Sequence, residues 1–312
     1  MRKFAIISIL LCLFSACREA EELFSEEELA RRDSLALRVA VYPTLETLPL
    51  YYAERIGMLC DSTMDIRLEH YESMTDCDTA IAGGSVHVSF TDVARILALQ
   101  AEKGVTLSPV ATTMSTWGLY SPKEKKINRI EQLKEKMVGM ERHSRSDFWS
   151  DEILKGKDLT SLDIFRIQVG STHLRYDMLM SGMVDAAFLS EPYASLCADS
   201  AIAACLWKQP EEATSWTVLA IPEVQQKDSL RSLQVKQLMD VYEKARRQLI
   251  ARPDTALLHQ IYRKVYLIPE RHLKRVRWNT WKPAPLDTVN ALAPQEARHW
   301  LREQRDGRFV GE

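Results

Sequence analysis

Hydrophobic and polar residues alternate over residues 37–42 (LRVAVY) and 65–71 (DIRLEHY), the period-two pattern of strands with one covered face. Pro43 ends the first strand, and residues 48–58 between the two read as a helix that Gly57 stops. A short helix over 76–82, a strand over 86–90, a helix over 93–103 and a strand over 105–111 continue at the lengths of parallel βαβ units. After a divider at 117–121 the cycle restarts, with a helix over 127–134, a strand over 136–140 and a helix beginning after Arg145 or Ser146. A strand over 163–169, a helix over 173–181 and a strand over 184–189 complete it. The segment 216–221 (WTVLAI) reads as a return strand, so that two chain crossings form a hinge. From Asp228 onward Leu233, Val235, Leu238, Met239, Val241 and Tyr242 recur every three or four positions. That spacing predicts an amphipathic helical tail packed back on the first lobe.

Residues 82–92 (AGGSVHVSFTD) and 181–191 (SGMVDAAFLSE) repeat one plan: a glycine turn, a short apolar strand, then an acid. Gly84 aligns with Gly182, Val86 with Val184 and Phe90 with Phe188, while Asp92 and Glu191 fall one position out of register. The repeat predicts two similar lobes facing one cleft. In such α/β sheets, ligands sit beyond the carboxyl ends of the strands. Each acid has two readings, a contact in that cleft or a cap on the next helix.

Arg2 and Lys3, the apolar run 4–14 and Ser15-Ala16-Cys17 form a secretory signal. A run of eleven residues is too short to span the hydrocarbon core. Small residues directly before a cysteine resemble a bacterial lipoprotein cleavage box, with Phe14 where leucine is usual. The resemblance implies that residues 1–16 are removed and that an acylated Cys17 anchors an exported protein to a bacterial membrane. The charge-dense stretch 18–32 (REAEELFSEEELARR) reads as a partly helical tether. The expected organisation is a tether over 17–36, a first lobe with helical tail over 37–116 and 217–312, and a second lobe over 117–216.

At 46% hydrophobic and 27% charged residues the chain is globular. Removing Arg2 and Lys3 leaves 39 basic against 43 acidic residues, a formal charge of −4, which speaks against a nucleic-acid partner. No later apolar run approaches the roughly 20 residues that span a bilayer. Cys60, Cys77, Cys197 and Cys205 match no common zinc spacing. They are either buried thiols or bridges of Cys60 with Cys77 and Cys197 with Cys205. Arg271, Lys274, Arg275 and Arg277 beside Trp278 and Trp281 form a basic and aromatic patch, either a solvated face or a docking surface. No metal or cofactor is expected, and a monomer is.

Four segments carry a family resemblance: 37–59 (LRVAVYPTLETLPLYYAERIGML), 83–100 (GGSVHVSFTDVARILALQ), 127–140 (INRIEQLKEKMVGM) and 181–196 (SGMVDAAFLSEPYASL). They resemble the periplasmic substrate-binding proteins of ABC importers, nearest to the nitrate, sulfonate and taurine binders and the thiamine-pyrimidine-precursor binders. The similarity spans 37–222, and the tail segment APLDTVNALAPQEARHWL also looks like the family's C-terminal helices. It implies an α/β, two-lobed type II periplasmic-binding fold, each lobe a mainly parallel sheet flanked by helices, with two hinge crossings. It further implies cleft contacts from Pro43, Thr44, Leu45 and Glu46, from Thr91 and Asp92, and from Thr112 and Thr113. Ser144, Arg145, Ser146, Asp147, Thr172, Glu191 and Tyr193 complete the implied set. His87 stands where relatives often have aspartate, and Gly83-Gly84-Ser85 is shifted against the usual serine-glycine.

A physical argument supports residues 144–147 independently. Free N–H groups and the positive dipole end of a helix favour an anion there, with Ser146 or Asp147 as cap. Arg142, His143 and Arg145 suit a carboxylate, sulfonate or phosphate, whereas Glu46, Asp92 and Glu191 suit an amine or aminopyrimidine. If both sets face the cleft, the ligand carries donors and an acid, or some of these charges pair with each other. Tyr42, Trp117, Trp149 and Tyr193 either stack on a ligand ring or pack in core and hinge.

Three function classes follow. A lipid-anchored binding protein would close its lobes on a small polar, anionic or heteroaromatic molecule and present it to a membrane permease with ATPase subunits. An enzyme on the same fold lacks motif support, since CxxC, HExxH, GxSxG and GxxxxGK[ST] are absent. A ligand-sensing lipoprotein would use the cleft to report rather than import.

Overall fold

The structure is a computed structural model in which residues 25–61, 63–198, 202–210, 213, 215–276, 283–287, 289 and 292–308 are described. The signal segment, Cys17, Arg277, Trp278 and Trp281 lie outside the described residues. Helix α1 (Glu26–Leu35) precedes the strands β1 (Leu37–Val41), β2 (Ile66–His70), β3 (Val88–Asp92) and β4 (Leu107–Thr113). These alternate with α2 (Leu48–Arg55), α3 (Met74–Ala82) and α4 (Val93–Lys103). Next come β5 (Trp117–Pro122), β6 (Met137–Met140), β7 (Phe165–Gln168), β8 (Ala186–Ser190) and β9 (Ala203–Lys208), with α5 (Arg145–Lys155), α6 (Thr172–Met180) and α7 (Tyr193–Cys197). Strand β10 (Thr217–Pro222) leads into α8 (Glu223–Gln226), α9 (Ser229–Ala251), α10 (Thr255–Lys264), α11 (Glu270–Leu273) and α12 (Leu292–Arg308).

The strands form two five-stranded sheets, in the orders β2-β1-β3-β10-β4 and β7-β6-β8-β5-β9. In the first, β1 runs parallel to β2 and β3, while β10 runs antiparallel to β3 and β4. In the second, β6 runs parallel to β7 and β8, while β5 runs antiparallel to β8 and β9. One plan is used twice, and the antiparallel strand of each sheet is the one that arrives from the other lobe. The crossings lie between β4 and β5 and between β9 and β10.

The repeat has a structural counterpart. Strands β3 and β8 take the third place of their sheets, Phe90 and Phe188 are both fully buried, and Gly84 and Gly182 have φ of 74° and 73°. That left-handed backbone is open to glycine because no Cβ meets the following carbonyl.

Several elements differ from the sequence pattern. Strands β3 and β8 run on to the polar residues Asp92 and Ser190, which pair in the ladder with Thr217 and Trp117. The divider at 117–121 is itself strand β5, and β9 has no counterpart in the pattern. The helix expected over 127–134 is a 3-10 turn at Ile130–Leu133. Helix α5 begins at Arg145 and is capped by Ser144, whose Oγ accepts from the Ser146 N–H at 3.2 Å, rather than by Ser146 or Asp147. Cys60, Cys77, Cys197 and Cys205 are free thiols, so neither bridge is formed.

The tail packs on the first lobe as its periodicity requires. Leu238, Val241 and Tyr242 of α9 are buried, the Tyr242 ring lying 6.3 Å from Phe90, whereas Leu233 is exposed. Helix α12 lies on α4 and reaches the second lobe, where Trp300 Nε1 donates to Asp151 at 2.7 Å and Lys155 pairs with Glu303 at 2.9 Å. Among the described residues no helix is long and apolar enough to cross a membrane.

Candidate functional site

Asp92 ends β3, and Thr217 opens β10 directly opposite it. Glu46 sits in the 3-10 turn Leu45–Thr47 that follows β1. All three are buried in the first lobe. From the second lobe the start of α5 delivers Arg145. Its backbone N–H donates to Asp92 Oδ2 at 2.9 Å. Its Nη2 donates to Glu46 Oε1 at 3.3 Å and to Thr217 Oγ1, and lies 3.8 Å from Asp92 Oδ1. The helix N-terminus does hold an anion, as its dipole favours, but that anion is Asp92 of the opposite lobe. Two carboxylates share one guanidinium, so the cluster carries a formal excess of one negative charge.

Trp117, the first residue of β5, lies against two guanidiniums: Arg145 at 5.2 Å and Arg175 at 5.6 Å from its ring centroid. Both distances are within reach of cation–π attraction. Arg175, on α6, donates to the Val169 carbonyl at 2.9 Å and to Thr172 Oγ1 at 2.8 Å. Burial lowers its pKa, opposed by the Glu141 carboxylate. Glu141, just after β6, accepts from the N–H and Oγ1 of Thr75 on α3, at 3.2 and 2.9 Å. Burial pushes its carboxyl up to about 7, against the pull of Arg175 and Arg95. Arg95 pairs with buried Asp78 at 2.6 Å and donates across the lobes to the Arg142 carbonyl at 3.3 Å.

Polar atoms without a protein partner concentrate here. Glu46 Oε2, Ser115 Oγ, Trp117 Nε1, Arg145 Nε and Nη1, Arg175 Nε, Ser190 Oγ and Gln209 Oε1 are all buried and unpaired. They are contiguous: Ser190 lies opposite Trp117 in the ladder, and the Gln209 N–H donates to the Trp117 carbonyl at 2.9 Å. Buried polar groups without partners cost free energy, so this wall is suited to another molecule that supplies them.

Of the residues singled out from the sequence, Glu46, Asp92 and Arg145 meet directly. Tyr42 lies beside them: burial, then Glu46 and Asp92, raises its phenol pKa. Thr44 borders the turn, its carbonyl accepting from Tyr266 OH at 2.6 Å. Thr112 Oγ1 donates to the Thr217 carbonyl at 3.1 Å, and the Thr113 carbonyl accepts from Ser215. Ser144 Oγ donates to the Glu141 carbonyl at 2.7 Å, and Ser146 Oγ accepts from the Glu141 N–H at 3.0 Å, so both brace the loop that carries Glu141. Thr172 holds Arg175, as above.

The remaining residues are engaged elsewhere. Thr91 Oγ1 donates to Asp78 at 2.7 Å inside the first lobe. Asp147 accepts from the His143 N–H at 2.9 Å, Arg142 Nε at 3.0 Å and Arg166 Nη1 at 2.7 Å, all within its own lobe. Glu191 accepts from the Ser195 N–H at 3.0 Å, the capping reading of that acid. Tyr193 OH donates to the Tyr266 carbonyl at 2.6 Å, and Trp149 packs 5.0 Å from Trp207.

Sequence reasoning missed Thr217, Arg175 and Glu141. Glu141 was within reach, because it repeats the strand-then-acid plan at the end of β6. Arg175, in a helix of mixed polarity, carries no mark of burial.

The family model described as NMT1/THI5 like matches residues 44–256. No curated protein matches the chain. Among solved structures, the alkanesulfonate-binding protein SsuA from Xanthomonas axonopodis pv. citri bound to MOPS is similar with a TM-score of 0.71 and 16% identity, over 88% of this chain and 93% of that one. The periplasmic aliphatic sulphonate binding protein SsuA from Escherichia coli gives 0.70 and 16%, over 89% and 94%. The periplasmic nitrate-binding protein NrtA from Synechocystis PCC 6803 gives 0.65 and 11%, over 78% and 69%. Identities this low establish the two-lobed fold and leave the ligand to the site itself.

Proposed function

Since this chain belongs to the NMT1/THI5-like family, we propose that it is an exported solute-binding protein that closes two lobes on a small molecule and delivers it to an ABC-type permease. One observation carries this reading: Glu46 and Asp92 from one lobe and Arg145 from the other meet in a buried cluster whose wall has polar atoms to spare. Neighbouring structures named as sulfonate- and nitrate-binding proteins add support. The units that move are residues 37–116 with 217–312, and 117–216. The apolar run 4–14 and the box ending at Cys17 supply export and a lipid anchor. The protein works as a monomer, and its cleft is a receptor rather than a catalytic centre.

A thermal-shift screen of the chain from Arg18 onward tests this, against sulfonates, nitrate, aromatic carboxylates and thiamine-precursor heterocycles. A ligand at a hundredfold excess over Kd stabilises the native state by roughly 2.7 kcal/mol, a shift of several degrees. The reading expects such a hit and its loss in Arg145→Ala. A hit of equal size in that variant would move the site out of the cleft.

A further inference from the structure

The buried cluster constrains what can enter the cleft. Arg145 is the cation that Glu46 and Asp92 share, with the Thr217 hydroxyl between them. A ligand that draws the guanidinium to itself leaves two carboxylates, each only 2% exposed, without a counter-ion. Stranding a buried charge in this way is strongly disfavoured. A ligand offering only a cation to the carboxylates strands the guanidinium instead. A molecule bearing both groups replaces both halves of the ion pair at once.

The unpaired atoms have the matching polarity. Glu46 Oε2 requires a donor, while Nε and Nη1 of Arg145 and Nε1 of Trp117 require acceptors. Charge points the same way. A plain anion would raise the cluster's formal excess from one negative charge to two, whereas an amphoteric molecule leaves it unchanged. Arg175, beyond Trp117, directs its Nη1 and Nη2 to the Val169 carbonyl and Thr172 Oγ1 rather than to this cluster.

Resting on the solute-binding reading, we propose that the cleft takes an amphoteric solute: a protonated nitrogen on Glu46 and Asp92, and an acid group on Arg145 and the Trp117 N–H. Simple anions such as nitrate and unsubstituted alkanesulfonates are discriminated against. Arg145 is then both a wall of the site and its occupant before ligand arrives, trading Glu46 and Asp92 for the ligand's acid as the ligand's nitrogen takes its place.

Isothermal titration of the mature chain against matched short-chain series tests this: alkanoates and alkanesulfonates, alkylamines, and ω-aminoalkanoates. The best ω-amino acid should bind at least about tenfold more tightly than the acid or amine of the same length. Glu46→Gln, which keeps the side-chain shape, should abolish that advantage, and Asp92→Asn serves if the first variant does not fold. A plain sulfonate or nitrate that binds as tightly as its amphoteric counterpart, undiminished in Glu46→Gln, overturns the inference and leaves the solute-binding reading intact. A thermal-shift hit lacking either a protonated nitrogen or an acid also overturns it. No binding in any series, together with a silent thermal-shift screen, contradicts both.

Discussion

Arg145 lies 53 positions from Asp92 and 99 from Glu46. The family resemblance together with residue chemistry marked all three, and left open whether their charges meet a ligand or each other. Only the folded chain shows that they meet each other, because pairing across lobes depends on where strand ends converge and leaves no local trace. Glu141 gives this scale a measurable consequence. Its carboxyl is raised by burial from 4.5 to about 7, so the native state holds the proton more tightly than the unfolded chain does. Its contribution to stability is full below pH 4.5 and is lost as pH rises through about 7, a change on the order of 3 kcal/mol. The difference in urea-unfolding free energy between wild type and Glu141→Gln should fall by that amount across this window. A difference that stays flat with pH would mean that Glu141 is solvated in the native protein.

The elements most legible in the sequence were those with a local cause. The strand at β1 carries Val39 and Val41 and stops at a proline, the span of α4 follows its apolar spacing, and the duplicated glycine turns announced β3 and β8. Elements that exist only by non-local pairing were misread. Strand β5 contains Gly118 and Pro122 and looks like a break, yet it is held between β8 and β9. Strand β9 (AACLWK) does not alternate hydrophobic and polar positions, and it lies at the edge of its sheet with only Ala203 buried. The turns themselves can be tested. A Cβ at Gly84 would meet nothing within 4 Å, and one at Gly182 only the Lys125 side chain at 3.7 Å. Gly84→Ala and Gly182→Ala should therefore each cost only the left-handed backbone penalty, about 1 kcal/mol, by thermal or chemical melting. A cost several times larger at either site would show that the two turns are not equivalent.

At the scale of the whole molecule, two lobes of one plan are joined by two crossings and held together at several places. The Arg145 cluster and the Glu141–Thr75 contact close the cleft. At the back, Trp216 of the second crossing stacks on Phe148 of α5 at 4.3 Å, and both rings lie 5.9 Å from Trp300 of α12. The tail thus bridges the hinge rather than only covering the first lobe, which its helical period did not foretell. A ligand that contacts both lobes stabilises the closed state by its differential affinity for it. Hydrogen exchange with and without the strongest hit of the thermal-shift screen tests this most directly. Protection should rise together in peptides covering 44–47 and 91–95 on one lobe and 141–147 on the other, with the edge strands β2 and β7 unchanged. Protection confined to one lobe, or appearing at β2 or β7 alone, would contradict a ligand site between the lobes.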